Sequence, residues 1–410
     1  MLSMETNLHL HIRLAGAGID VNDLAVWAAS ARNEIVQEVL AQALWELQDK
    51  HFTEVQAGRS ELVCPRCGVV HQSGKSVVKR GQRKRQVRTS SGTVRFFLLQ
   101  VTCLDCGATR TPYSEALGLA ARQRVCEELL NLLCEGVTKL SYRKTTDLAK
   151  QWMGANVSPR RLHREVQERG KAIEFTEGPD FKVMVADSTR VPAGELERGE
   201  EACIALQLQG TTTRAGRPCT QKRVVGVGVG MGAWEEALAT ATEPQLIITD
   251  GQQGLHTLVA EAYPGVRHQQ CEWHVTHSLK HMLALDGMGV VERKEWAKKL
   301  SALINQAGPK AREQYKRFAA RLQGYHRVHT LLRNATDYIL YREPSEVRTS
   351  SHAEREMREI NRRTDVGVRW SVPGVTNMLR LHLAQRHNAD DYHRVWSPPR
   401  PITWSLASML

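Results

Sequence analysis

The sequence predicts a modular α/β protein. Three observations point there: short apolar runs of β character gathered between residues 181 and 250, helical periodicity on both sides of them, and a separate β-prone stretch from about 60 to 115 that holds four of the nine cysteines. With 410 residues, 41% of them hydrophobic, the chain has material for two or three cores.

In order, residues 1 to 58 read as a helical segment, because Leu24, Val26, Trp27, Ile35, Val36, Val39, Leu40 and Leu44 fall at helical spacing. Helices for packing or dimerisation are expected there. From 59 to 115 the runs Ser76 to Val78 and Val94 to Val101 are split by glycine and basic residues, which suits a small β module. Residues 116 to 176 return to helical spacing. From 177 to 385 the runs VMVA, CIALQLQ, RVVGVGVGMG and QLIIT open an α/β domain. It is interrupted by charged helical sequence at about 276 to 345 and resumed by a helix from about 350 to 366. Residues 386 to 410 read as a tail with Trp396, Trp404 and three prolines.

Lys and Arg number 56 against 44 acidic residues, a formal net charge of +12 that favours a polyanionic partner, nucleic acid first among them. Charge alone fits a merely soluble basic protein equally well, so clustering must decide. The chain lacks a long apolar run, and MLSMETNLHLHIRL lacks the pattern of a signal peptide. A soluble protein of the cell interior, with no membrane partner, is expected. Its cysteines then read as thiols or metal ligands.

Cys64 and Cys67 in CPRCG, with Cys103 and Cys106 in CLDCG, form two Cys-x-x-Cys knuckles joined by β-prone sequence. That spacing suits four thiolates around one structural Zn²⁺ in a zinc-ribbon-like module. The glycine after each second cysteine suits a tight turn. Between the knuckles, Lys79, Arg80, Arg83, Lys84, Arg85 and Arg88 form a basic hairpin able to meet phosphates, although a charge run of this kind is also what a solvated hairpin tip carries.

In SYRKTTDLAKQWMGANVSPRRLHREVQERGK, Leu148, Trp152, Val157, Leu162 and Val166 mark two helical stretches around Gly154 and Asn156. Ser158 and Pro159 suit the start of the second helix, which would present Arg160, Arg161 and Arg164 to DNA in a helix-turn-helix-like domain. A plain helical hairpin gives the same pattern.

Two apolar runs end in acids: VMVA in Asp187 and LIIT in Asp250. Buried strands that deliver neighbouring carboxylates can bind Mg²⁺, whereas a single aspartate after a strand is often just a turn residue. In SSHAEREMREINRRT, Ala353, Met357 and Ile360 share one helical face and Glu354, Arg358 and Arg362 an adjacent column. On pattern alone Glu356 or Glu359 serves as well, and an ion-pair ladder on a solvated helix would look the same.

These pieces resemble the Mutator-like DDE transposases of bacterial insertion sequences. The resemblance rests on the order of Asp187, Asp250 in IITDGQQGL roughly sixty residues later, and a Glu roughly a hundred beyond. It rests also on QCEWHVTHSLKH, where Cys271 and His274 are similar to the family's Cys-x-x-His element, and on AEREMREINRRT, similar to the helix bearing the family's glutamate. It covers about residues 175 to 385, whereas the four-cysteine front is not matched to the best-known members.

The resemblance implies an RNase H-like catalytic core with an all-helical insertion. Asp187, Asp250 and Glu354 would hold two Mg²⁺ (or Mn²⁺) ions, with Cys271 and His274 accessory beside them and Arg358 and Arg362 on phosphates. It implies cleavage and strand transfer of double-stranded DNA, transposon ends and target, by a homodimer in a prokaryotic cytoplasm, associated with the nucleoid. Two other classes fit the sequence: a transposase-derived DNA-binding regulator without catalysis, and an RNase H-like nuclease without strand transfer.

Overall fold

The computed structural model describes residues 20–120, 122–178, 182–214, 217–239, 244–252, 254–306, 309–339, 347 and 349–396. Trp404 and the prolines of the tail lie outside the described residues. The chain divides into two compact units, one up to Glu165 and one from Val166 to Pro398.

The first unit opens with a single helix, α1 (Val21–Gln56), where several were expected. No glycine or proline interrupts these 36 residues, and Asp20 and Asp23 close a capping box at the start. Strands β1 (Leu62–Val63) and β2 (Val70–His71) form a small hairpin; β3 (Val77–Thr89), β4 (Gly92–Cys103) and β5 (Thr109–Arg110) form a three-stranded sheet. The second half of α1 packs on β4 through Phe52 and Val55 against Leu99 and Val101. Gln48, fully buried, donates to Phe97 O at 3.0 Å and accepts from Leu99 N at 2.9 Å, tying the helix to strand backbone. A short α2 (Tyr113–Ala116) precedes α3 (Glu127–Val137), α4 (Tyr142–Met153) and α5 (Pro159–Ala172), the last crossing the boundary between the units. Ser158 caps α5 by accepting from Arg161 N at 3.2 Å, where the sequence put the helix start.

The second unit holds β6 (Val183–Val191), β7 (Glu200–Arg214), β8 (Arg217–Val229), α6 (Ala233–Leu238), β9 (Leu246–Thr249), α7 (Leu255–Ala262) and β10 (Arg267–Gln270). Its sheet runs β10-β9-β6-β7-β8, antiparallel from β6 to β8 and parallel from β6 to β10. Met184, Ala186, Cys203, Ala205, Val225 and Ile247 pack on α6 and α7. The glycines of RVVGVGVGMG serve this face: a Cβ at Gly226 or Gly228 would lie 1.8 or 2.0 Å from the Ala237 or Ala233 carbonyl oxygen of α6. Strand alternation points Val185 and Asp187 to the opposite face, where α12 (Ser351–Thr364) lies on β6 and α13 (Val372–His387) on β8. Between β10 and α12 come α8 (Glu272–Leu285), α9 (Val290–Ile304), α10 (Pro309–Arg321) and α11 (His326–Ala335), with a core of their own around Leu279, Leu300, Tyr315 and Leu332. The stretch read as a tail carries α14 (Ala389–Val395), fixed to β8 by Arg223, which bonds Asp390 at 2.8 Å and Asp391 at 3.1 Å.

Candidate metal centre and nucleic-acid surfaces

β6 and β9 run parallel with Val183, Met184 and Val185 level with Leu246, Ile247 and Ile248. Continued two residues past the last paired residues, that register brings Asp187 and Asp250 level, close enough for Asp250 to raise Asp187. The sequence put Asp187 at a strand end, but β6 continues to Val191 because it pairs with β7 along its whole length. Asp187 thus leaves mid-strand, opposite Ile204, and is 4% exposed. Asp250 does follow the end of its strand. Each aspartate accepts from backbone just beyond it, Asp187 Oδ1 from Ser188 N at 2.8 Å and Asp250 Oδ1 from Gln252 N at 3.0 Å. Burial, opposed by His274 and reinforced by Asp250, pushes the Asp187 carboxyl up to about 6. Burial also raises Asp250, with Glu201 adding to the rise.

α8 begins beside this pair, since Cys271 N donates to Thr249 O at 2.7 Å. Ligand atoms of Cys271, His274 and Glu354 lie within 4.8 Å of one another. Ser350, fully buried just before α12, joins the parts: its N–H donates to Cys271 Sγ at 3.3 Å, its hydroxyl lies 3.3 Å from His274 Nδ1, and it bonds the Asp187 side chain. Burial opposes charge on His274, yet the neighbouring Cys271 and the two aspartates carry it up to about 9. The Cys271 thiol is lowered, its burial outweighed by His274 and Ser350. His274 thus favours its charged form and works against the burial of both carboxyls.

The three glutamates of α12 differ sharply. Glu356 is buried and bonded to Lys222 at 3.1 Å, Arg386 at 3.1 Å and His387 at 3.0 Å. Glu359 accepts from Arg362 at 2.6 Å. Glu354 Oε1 is buried with no hydrogen-bond partner among the described residues. Of the two arginines read as phosphate contacts, Arg358 is exposed, whereas Arg362 is held by Glu359. Sequence reasoning missed Ser350, Glu201 and Gln252; a serine before a helix and an acid at the start of a strand are too common to stand out. Trp273, which a packed helix start would bury, is 49% exposed and stacks on His277 with ring centres 4.8 Å apart.

In the first unit, Cys64 Sγ lies 3.8 Å from Cys106 Sγ and Cys67 Sγ 3.8 Å from Cys103 Sγ, all four thiols falling within 4.8 Å. Four sulfurs at about 2.3 Å from one Zn²⁺ stand about 3.8 Å apart in a tetrahedron, so the donor set fits that ion. The turns work as expected: Gly68 and Gly107 have φ of 73° and 68°, and the N–H groups of Arg66 and Cys67 point at Cys64.

The basic residues differ in their surroundings. Lys79 is paired with Asp49 at 2.7 Å, and Arg85 bonds the carbonyls of Ala120 at 3.0 Å and Gln123 at 2.9 Å. Arg88 is half-buried, while Arg80, Arg83 and Lys84 are exposed. On α5, Arg160 and Arg164 are exposed and Arg161 pairs with Glu165 at 3.0 Å. No described helix is long and apolar enough to cross a membrane.

Compared with known proteins, part of the chain is similar to transposases. Residues 235–394 match the family described as Transposase, Mutator family, a span that takes in Asp250, Cys271, His274 and Glu354 and begins beyond Asp187. The chain is also 27% identical over 229 residues to the transposase for insertion sequence element IS905 of Lactococcus lactis subsp. lactis (strain IL1403). That alignment covers 52% of this chain and 53% of the relative, so the match spans about half the relative's length. Together the two matches support a Mutator-type transposase of a bacterial insertion sequence.

Proposed function

We propose that the chain is a DDE-type DNA transposase that cleaves its element's ends and joins them to target DNA. The observation that carries this is the convergence on one face of the sheet: Asp187 level with Asp250, and α12 bringing the unpartnered Glu354 oxygen to His274, which acts on both aspartates. The sheet order, with the first and fourth strands of the core adjacent at its centre, supports the RNase H-like reading.

The carboxylates suit a hard divalent cation, Mg²⁺ or Mn²⁺, because burial makes their charge costly even beside His274, and a bound cation would offset that cost. Asp187, Asp250 and Glu354 would hold two such ions, which when bound supply a lowered pKa for the attacking oxygen and charge stabilisation for the leaving one. The chain's own part is orientation and charge. Ser188 and Gln252 N–H groups aim the aspartates, and His274, itself carried up by Cys271 and the aspartates, favours their charged forms against burial. Water would cleave the element end, and the released 3′-hydroxyl would then attack target DNA in line.

Zn²⁺ held by Cys64, Cys67, Cys103 and Cys106 would staple the basic hairpin, and Arg80, Arg83, Lys84, Arg160 and Arg164 would meet DNA phosphates. The reading includes a homodimer that pairs two DNA ends, in the nucleoid-associated cytoplasm of a prokaryote.

Mg²⁺-dependent cleavage and joining of DNA carrying the element's own ends tests the proposal, with Asp187→Ala and Glu354→Ala as comparisons. Joining by the intact protein, abolished in either variant while DNA binding survives, is the expected result. Tight binding without any reaction would instead indicate a DNA-binding regulator, and cleavage without joining a nuclease.

A further inference from the structure

Glu201 lies outside the three carboxylates assigned above, at the start of β7. One of its oxygens, Oε1, accepts two hydrogen bonds, from Ser188 Oγ at 2.7 Å and from Gln252 Nε2 at 3.0 Å. Both donors belong to the residues whose backbone orients the aspartates. Ser188 N–H holds Asp187 Oδ1 at 2.8 Å, and Gln252 N–H holds Asp250 Oδ1 at 3.0 Å. Gln252 is anchored once more, its Oε1 accepting from Trp234 Nε1 at 3.1 Å, and Trp234 is 9% exposed in the core beneath the sheet.

We propose that Glu201 is a positioning residue that sets the separation of the Asp187 and Asp250 carboxylates by clamping Ser188 to Gln252. The inference rests on the reading of the two aspartates as metal ligands. Its physical basis is the difference between the two supports. Asp187 sits in the middle of β6, which pairs with β7 along its whole length, so its backbone is fixed. Asp250 opens a segment where Gly251 has φ of 82°, and the parallel pairing of β9 stops at Thr249. Two side-chain bonds of Gln252, to Glu201 and to Trp234, hold that segment against the fixed strand. Outer-shell partners of this kind typically contribute a factor of about 10–100 to metal affinity.

The test is Mn²⁺ binding to the full chain, followed by the electron paramagnetic resonance of free Mn²⁺, for the intact protein, Glu201→Ala, Glu201→Gln and Asp250→Asn. Glutamine keeps an oxygen that accepts from both donors, whereas alanine removes it. Glu201→Ala is expected to weaken Mn²⁺ about 10–100-fold, Glu201→Gln to keep most of the affinity, and Asp250→Asn to lose at least as much as Glu201→Ala. If Asp250→Asn binds less while Glu201→Ala matches the intact protein, the clamp is wrong and the ligand assignment stands. If Asp250→Asn itself binds normally, both fail. A Glu201→Gln loss as large as that of Glu201→Ala overturns the clamp in favour of a direct charge effect. Should Glu201→Ala not fold, Ser188→Ala removes one arm and leaves both the carboxylate and the N–H on Asp187; the same weakening is expected, and unchanged affinity overturns the inference.

Discussion

Glu354, Glu356 and Glu359 stand on one helix and face three environments: an unpartnered pocket beside His274, a cage of three basic groups, and solvent beside Arg362. Helical spacing could not separate them, because the partners of Glu356 come from β8 and α13 and the neighbour of Glu354 from α8, far away in sequence. Glu356→Ala would strand Lys222 in a buried site, and breaking such a pair typically costs about 3–5 kcal/mol. Urea denaturation should show that loss, with Mn²⁺ affinity of the folded protein kept. Asp187 carries the opposite kind of strain. Its carboxyl is raised to about 6 in the fold from 3.8, so the folded state holds the proton more tightly than the unfolded chain. The stability this contributes is present in full below pH about 4 and lost as pH rises through about 6. In metal-free buffer at pH 8, Asp187→Asn should therefore be more stable than the intact chain by up to about 3 kcal/mol, an upper bound from the shift. The gain should shrink towards pH 4 in denaturation series; a gain that does not vary with pH would contradict the buried-carboxylate account.

Among the elements, the run RVVGVGVGMG was legible as a strand but not as the floor for a helix. Its alternate glycines let the α6 backbone rest directly on β8, so Gly228→Ala must push α6 away. Overpacking of this sort costs about 1–3 kcal/mol, visible as a lower melting temperature. The cysteine knuckles were legible down to the role of Gly68 and Gly107, because ligand spacing and turn chemistry are both local. If four thiolates hold Zn²⁺, a strong chelator should release one ion per chain and lower protection from amide exchange in β1 to β5, and Cys67→Ser should do the same without chelator. The start of α5 was likewise local, written in Ser158 and Pro159. By contrast, the length of β6 beyond Asp187 depends on pairing with β7, and Lys79 and Arg85 are occupied by Asp49 and by the carbonyls of Ala120 and Gln123. Such partners are set by tertiary structure, which a run of charges in the sequence does not reveal.

For the whole molecule, a formal charge of +12 becomes useful only where side chains are free to meet phosphate. Replacing Arg80, Arg83 and Lys84 together by alanine should lower the slope of log affinity for DNA against log salt by about 0.9 for each phosphate no longer neutralised, and should weaken all sequences alike. A change confined to one sequence would instead point to base reading. Helical and β-type stretches were visible from periodicity, including the helical stretch between the second aspartate and the glutamate, whereas the division at Glu165, inside a stretch read as one domain, was not. The connection of that helical stretch to the site was not visible either. The first turn of α8 carries His274, while Val275, Leu279 and Leu283 of the same helix belong to the core shared with α9, α10 and α11. Gln270 N also donates to Tyr338 O at 2.7 Å, just after α11, so both ends of the helical stretch close on β10. α8 is thus a lever with its short arm among the carboxylates and its long arm set in a separate core, so the packing of residues far from any acid fixes where the His274 ring stands.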